Sequence, residues 1–555
     1  MHKIKCAAGC LRILHRLDKL DEAARIAREV TDFLAVLNPR WLGHRDSTFL
    51  MSVFNGVPSD AFAVMLQHDP TKPHLALQCL EGGRAVVLGR RTDGEDGTKG
   101  LKDLRPELAE EFRQLTGVLR SPTYEATNSL PKNVVNEPTP DNDSRGRNKP
   151  LQDYLSCLAT IRATKGFEDF LLGPSEQELM ACATEGPIFF VNSSHLRSDA
   201  VIVSRNRIKT LQLPELCGEE ILKWSKKTAW SGSPNDDQAL INMELRSYLT
   251  WIWKVCVKPI LEEAGILNCQ CPQKLPRVWW IRSGLASSMP LHAATENFKE
   301  SSRNNVYSRT ISSYVPSLQL LRASRDRILD VQTQSASSPD EDRRRRPGNL
   351  LLATMATTPG FGDLDVKAEI GAVRAAAHNR FELNLIKQPS AGKVTAAIED
   401  CGIFHVSCHG EPSRLDPLMS HLVFEKTVES GIRVQDFLSI QHVFQLKLRH
   451  AFIAVLSACS TARNEVDPLQ DEALHLASGF QAAGFPHVVA CLWPSMNDDC
   501  VSITGWFYTS LFGPGEENML DSRRIAEAMR ESVVTLRSQK RKRPLEWAQF
   551  AHFGA

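Results

Sequence analysis

CGIFHVSCHG, residues 401–410, and AFIAVLSACSTA, residues 451–462, are built alike. Each opens as a short, nearly continuous apolar run, the pattern of a strand buried on both faces of a sheet. Each closes in small residues around one side chain with chemical capacity, His409 in the first and Cys459 in the second. The same strand type recurs on either side, in LLLATMA, FELNLI and HVVACLW. Helical stretches such as DVKAEIGAVRAAAHN, GKVTAAIEDC and DEALHLASGFQAAG fall between most of these runs. That order predicts an α/β fold with a parallel sheet covered by helices. HLVFEKT and GIRVQDFL, between the two key stretches, read as a hairpin with a short helix.

In parallel α/β sheets, chemistry gathers beyond the carboxyl ends of the strands, where His409 and Cys459 both lie. If their strands are neighbours, the imidazole stands near enough to assist thiolate formation. The thiolate attacks an acyl carbon, and the imidazolium protonates the leaving amine. Gly410, without a Cβ, lets its backbone N–H approach a developing oxyanion, with the Cys459 N–H as second donor. Ser457, Ala458, Ser460, Thr461 and Ala462 leave room for a peptide. The bland alternative is that a strand-end cysteine is a packed small hydrophobe. The fifty-residue spacing from His to Cys is that of caspase-type sequences.

FHVSCHG, LSACSTA, DEALHLASGFQAAGFPHVVACLWP and PLEWAQFAHFG resemble the CHAT domain, a caspase-like peptidase family often joined to TPR repeats. VWWIRSGLASSMPLHAA (278–294) and SRTISSYVPSLQLL resemble the N-terminal half of CHAT domains, particularly those of large fungal TPR proteins. The resemblance implies a caspase-like sheet, a cysteine endopeptidase activity, His409 as general base and acid, and Cys459 as nucleophile. In LWPSMNDD, Asn497 stands close to where the family often carries Asp. The alternative from a different class is a catalytically inactive CHAT scaffold for protein–protein interaction or signalling.

Residues 1–120 read as a helical, TPR-like segment, 121–150 as a flexible linker, 151–245 as a mixed α/β region and 246–555 as the CHAT domain. Within the last, 332–349 is expected to be a disordered loop and 350–555 the catalytic sheet. The N-terminal helices are expected to bind a protein partner. Lys+Arg (66) balances Asp+Glu (65), so no basic field points to nucleic acid or acidic membranes. No apolar run approaches the roughly 20 residues of a membrane span. The N-terminus reads as an amphipathic helix, not a secretion signal. Fourteen scattered cysteines without a CxxC pair suit free thiols in a reducing, cytoplasmic setting, with no metal and no cofactor.

The loop after the nucleophile, ARNEVDPLQDEALH, carries Glu465, Asp467, Asp471 and Glu472 against Arg463. A carboxylate there would pair bidentately with a substrate Arg, giving preference for Arg or Lys before the cut, with Asp467, Asp471 and Glu472 as binding residues. The alternative is that these acids face water and favour the next helix N-terminus. The basic runs 343–346 and 540–543 offer internal cleavage targets and would permit nuclear entry. In TTPGFGDLD, Gly360 and Gly362 mimic the start of a dinucleotide fingerprint, but Asp365 stands where the third glycine belongs. His292 is expected to be a packed, buried histidine. His405, Cys408 and His409 do not make a shared ion site, because strand alternation sends Cys408 to the face opposite His409.

Overall fold

The computed structural model describes residues 2–36, 56–83, 99–119, 149–167, 170, 173–228, 236–268, 274–336, 349–377, 381–413, 417–446, 448, 450–458, 475–513 and 521–555. Cys459, Asp467, Asp471, Glu472, most of the 121–150 segment and the basic run 343–346 lie outside the described residues. The chain divides into two compact units, Met1–Leu179 and Met180–Ala555.

The first unit is helical. Helices His2–Arg16 and Leu20–Val36 turn back on each other through Asp18, whose φ of 57° an Asp tolerates better than most residues. Helices Val57–His68 and Pro73–Gly83 close onto the second of these. Leu11, Ala23, Ala27, Phe62, Leu77 and Leu80 are all fully buried between them. Asp60 is buried as well, and Arg12 Nε reaches it at 2.8 Å. Pro106–Leu119 packs on Lys149–Arg162, with the Phe112 ring 5.5 Å from Tyr154 and 5.3 Å from Phe170. Residues on both sides of the expected 121–150 linker thus share one core.

The second unit is a mixed α/β body on an eleven-stranded sheet. In chain order the strands are β1 (Ile188–Ser193), β2 (Ser198–Ser204), β3 (Arg207–Gln212), β4 (Arg277–Gly284), β5 (Ile311–Tyr314), β6 (Leu350–Thr354), β7 (Leu383–Lys387), β8 (Ile403–Ser407), β12 (Ile453–Ser457), β13 (His487–Cys491) and β14 (Phe550–Gly554). Three further strands, β9 (His409–Glu411), β10 (His421–Thr427) and β11 (Arg433–Ser439), form a small antiparallel sheet, the hairpin expected between the two key stretches. The large sheet runs β3-β2-β1-β4-β5-β14-β13-β12-β8-β6-β7.

Beyond β2 and β3, which extend one edge antiparallel, the sheet has two parallel halves. One is β1, β4, β5 and β14; the other is β13, β12, β8, β6 and β7. They meet antiparallel where β14 lies against β13, so their carboxyl ends open on opposite edges. Gly554 is needed at this seam: its φ is 121°, and a Cβ there would fall 2.0 Å from the Pro486 carbonyl oxygen. β1–β3, from the region read as preceding the CHAT domain, belong to the same sheet.

β6, β8 and β13 are buried throughout, as their apolar runs require. Phe404 of β8 stacks on Phe480 of helix Leu476–Ala483 at 5.6 Å. Among the described residues no helix is long and apolar enough to cross a membrane.

Candidate functional site

β8 and β12 are parallel neighbours with Ser407 opposite Ser457. His409 follows Ser407 by two residues, and Cys459 follows Ser457 by two. The register therefore carries both chains out of the sheet at the same level and edge. Ser457 and Ala458 are described; Cys459 itself is not. His409 leaves the large sheet to begin β9, where it pairs opposite Val423, and Gly410 opposite Leu422.

The His409 ring is held by the loop after β6. It stacks on Phe361 with centroids 4.6 Å apart and planes 22° apart, and Nε2 donates to the Gly362 carbonyl oxygen at 2.8 Å. A carbonyl only accepts, so Nε2 carries the proton, and Nδ1 of the neutral ring is left as the basic nitrogen. The loop is pinned from two sides. Gln388 accepts from the Ala356 N–H (2.6 Å) and donates to the Thr357 carbonyl (2.8 Å), while Gln435 of β11 donates to the Pro359 carbonyl (2.7 Å). Gly360 takes φ +84° where the loop turns. The glycines that resemble a phosphate-binding turn thus serve a loop that orients an imidazole.

Beneath the rim lies Glu369, on helix Val366–Ala377, directly after this loop. It is 1% exposed. Ser407 Oγ donates to its Oε2 at 2.5 Å, and Thr504 Oγ1 and His405 Nε2 reach its Oε1 at 3.0 Å. Ser457, opposite Ser407 on β12, also favours its charged form. Burial would raise its pKa, but the hydrogen bonds from His405 and Ser407, together with Ser457, hold it below the ordinary carboxylate value. His405, the third residue of β8, also meets Tyr508 through Nδ1 at 3.0 Å. It is committed to this buried network.

Phe361, Gly362 and Glu369 were not singled out in the sequence for this site. The available signal was an aromatic-glycine turn at a strand end followed by a helix with one acid on its apolar face.

The other sequence candidates fall elsewhere. His292 is buried with Nδ1 2.7 Å from Tyr314 OH, and burial, helped by Arg282, lowers its pKa to about 3. Asp499 in LWPSMNDD is the buried acid of that segment and meets Lys540 Nζ at 2.6 Å. Lys540 also meets Glu546 at 2.8 Å, Arg543 pairs with Glu546, and Arg541 with Glu300 at 3.6 Å. The run 540–543, offered by the sequence as an internal cleavage target, is instead a turn closed by the Arg543 N–H on the Lys540 carbonyl and tied down by ion pairs.

Comparison of the sequence with curated proteins gives no match. Two crystal structures of the Saccharomyces cerevisiae separase–securin complex are similar over 98% and 96% of this chain, at 10% identity and TM-scores of 0.45 and 0.48. This chain spans 47% and 37% of those matched chains. A structure of the Porphyromonas gingivalis gingipain pro- and mature domains is similar over 56% of this chain and 75% of its own, at 11% identity and a TM-score of 0.38. A family model, the CHAT domain, matches residues 246–555. That span takes in β4 to β14, the loop that holds His409 and both sequence stretches that end in His and Cys, and the chain belongs to the CHAT domain family.

Proposed function

We propose that this protein is a caspase-like cysteine endopeptidase acting on protein or peptide substrates. Cys459 is the nucleophile, His409 the general base and acid, and the backbone N–H groups of Gly410 and Cys459 receive the oxyanion. The observation that carries this reading is the β8–β12 register, which brings the chains leading to both residues out at one edge. The Gly362 carbonyl supports it by leaving Nδ1 of His409 as the base. In this reading Nδ1 takes the thiol proton as sulfur bonds to the scissile carbon. The same proton then passes to the leaving amine, and water releases the acyl group.

Substrates with Arg or Lys before the cut are preferred, through Asp467, Asp471 and Glu472. The helices of residues 1–120 bind a protein partner that restrains or directs the enzyme. The test is peptide-library profiling of the purified chain beside Cys459→Ala, with labelling by a peptide acyloxymethyl ketone. Cleavage and labelling that both vanish in Cys459→Ala support the enzyme. An unlabelled Cys459 in the wild type supports the inactive scaffold. A panel in which an Asp substrate outruns every Arg and Lys substrate overturns the basic preference alone.

A further inference from the structure

We propose that Glu369 is a positioning residue for the dyad, its buried carboxylate tying the ends of β8 and β12 together and so setting the separation of His409 and Cys459. The inference rests on the dyad reading above. Ser407 and Ser457 are direct cross-strand partners; Ser407 donates to this carboxylate, and Ser457 helps to stabilise its charge. From each serine the chain runs only two residues to the dyad position. The third element tied in is Glu369's own helix, which begins where the loop presenting Gly362 to His409 ends. One group therefore joins the strand that leads to the base, the strand that leads to the nucleophile, and the segment that orients the base.

Burying a carboxylate is costly unless its lone pairs are filled. Here Oε1 takes bonds from His405 and Thr504 and Oε2 from Ser407. An apolar side chain could fill the same space, but it could not set the distance between two strand ends. The titratable groups around the carboxylate are His405 from β8 and Tyr508 and Cys500 from helix Asn497–Leu511. All of them lie below the rim.

Glu369→Gln keeps the volume but turns an amide N–H₂ toward groups that donate. The strand ends then part, and a displacement on the order of 1 Å costs about 10²-fold in a positioned reaction. The experiment compares full-length wild type, Glu369→Gln, Ser407→Ala and Ser457→Ala by peptide cleavage and by iodoacetamide alkylation of Cys459 across pH. In Glu369→Gln, kcat should fall about 10²-fold with KM changed less than about two-fold, and the alkylation pH profile should move toward that of an ordinary thiol.

Each serine variant should give a smaller loss, and neither should add to Glu369→Gln, because one network acts as a unit. A merely structural role would lower thermal stability and leave the alkylation profile and the kcat-to-KM split alone. Should Glu369→Gln not fold, the serine variants carry the test, since each removes one hydroxyl. Wild-type kcat and alkylation in both serine variants, or in a folded Glu369→Gln, overturn the inference. An ordinary, unactivated Cys459 in the wild type overturns the dyad reading, and this inference with it.

Discussion

Phe361→Ala tests how the His409 ring is held. Two contacts fix it: the Nε2–H bond to Gly362 and the stack on Phe361 at 4.6 Å. An aromatic pair of this kind contributes about 0.5–1.5 kcal/mol beyond buried area. If that energy selects the productive ring orientation, its loss lowers the oriented fraction by about 2- to 12-fold, taking RT as about 0.6 kcal/mol. Phe361 sits partly exposed, outside the buried core, so its truncation should leave the melting temperature nearly unchanged. The expected result is a fall in kcat of that size with KM little altered. The second readout is NMR of the His409 ring protons, which should move downfield when the stacked ring current is lost. Phe361→Ala with wild-type kcat and unshifted His409 resonances would refute the reasoning.

Cys459→Ala and His409→Ala should each abolish cleavage with the fold retained, and the double variant should be no worse than either, because both act on one step; full activity in purified Cys459→Ala sinks the mechanism. His292 and His475 are buried and stay neutral in the folded chain, with pKa values lowered to about 3 by desolvation and by Arg282. Unfolded histidine titrates near 6.5, so unfolding below that pH takes up protons, and stability should fall by about 1.4 kcal/mol per pH unit for each as the pH drops toward 3. His487 and His552 act in the same direction. Calorimetry from pH 7.5 to 5 should show falling melting temperatures, and a stability maximum at pH 5 would contradict this. Lys540→Ala strips a cation from Asp499 and Glu546, each 2% exposed, and should destabilise by about 2–4 kcal/mol. Adding Asp499→Asn should recover part of that loss in urea melts, and an additive double variant would count against the pairing.

The burial of β8, β12 and β13 was legible because a strand covered on both faces reads as a nearly continuous apolar run, a local property. The hairpin of β10 and β11 was readable from two short strand-like runs, HLVFEKT and GIRVQDFL, and the chain turns between them at Gly431. The resemblance to the CHAT domain rested on short strand-end motifs, where backbone spacing alone decides which residue stands at the rim. Glu369 was not legible. An acid on the apolar face of Val366–Ala377 is a weak signal, and its donors Ser407 and Thr504 lie 38 and 135 residues away. Nor did KRKR announce its fate, since basic side chains are solvated unless a fold brings buried acids to them.

The sequence by itself determined where most of the strands run and the α/β class of the body that carries them, because periodicity and burial are written within a few residues. Tertiary structure alone decided that β14 enters the middle of the sheet antiparallel to β13, splitting it into halves that open on opposite edges. It also decided that the PGFG loop holds His409 and that one buried carboxylate takes hydrogen bonds from the end of β8 and from Thr504. Those are pairings between distant segments, and a hydrogen bond or a strand register is settled only when both partners are in place.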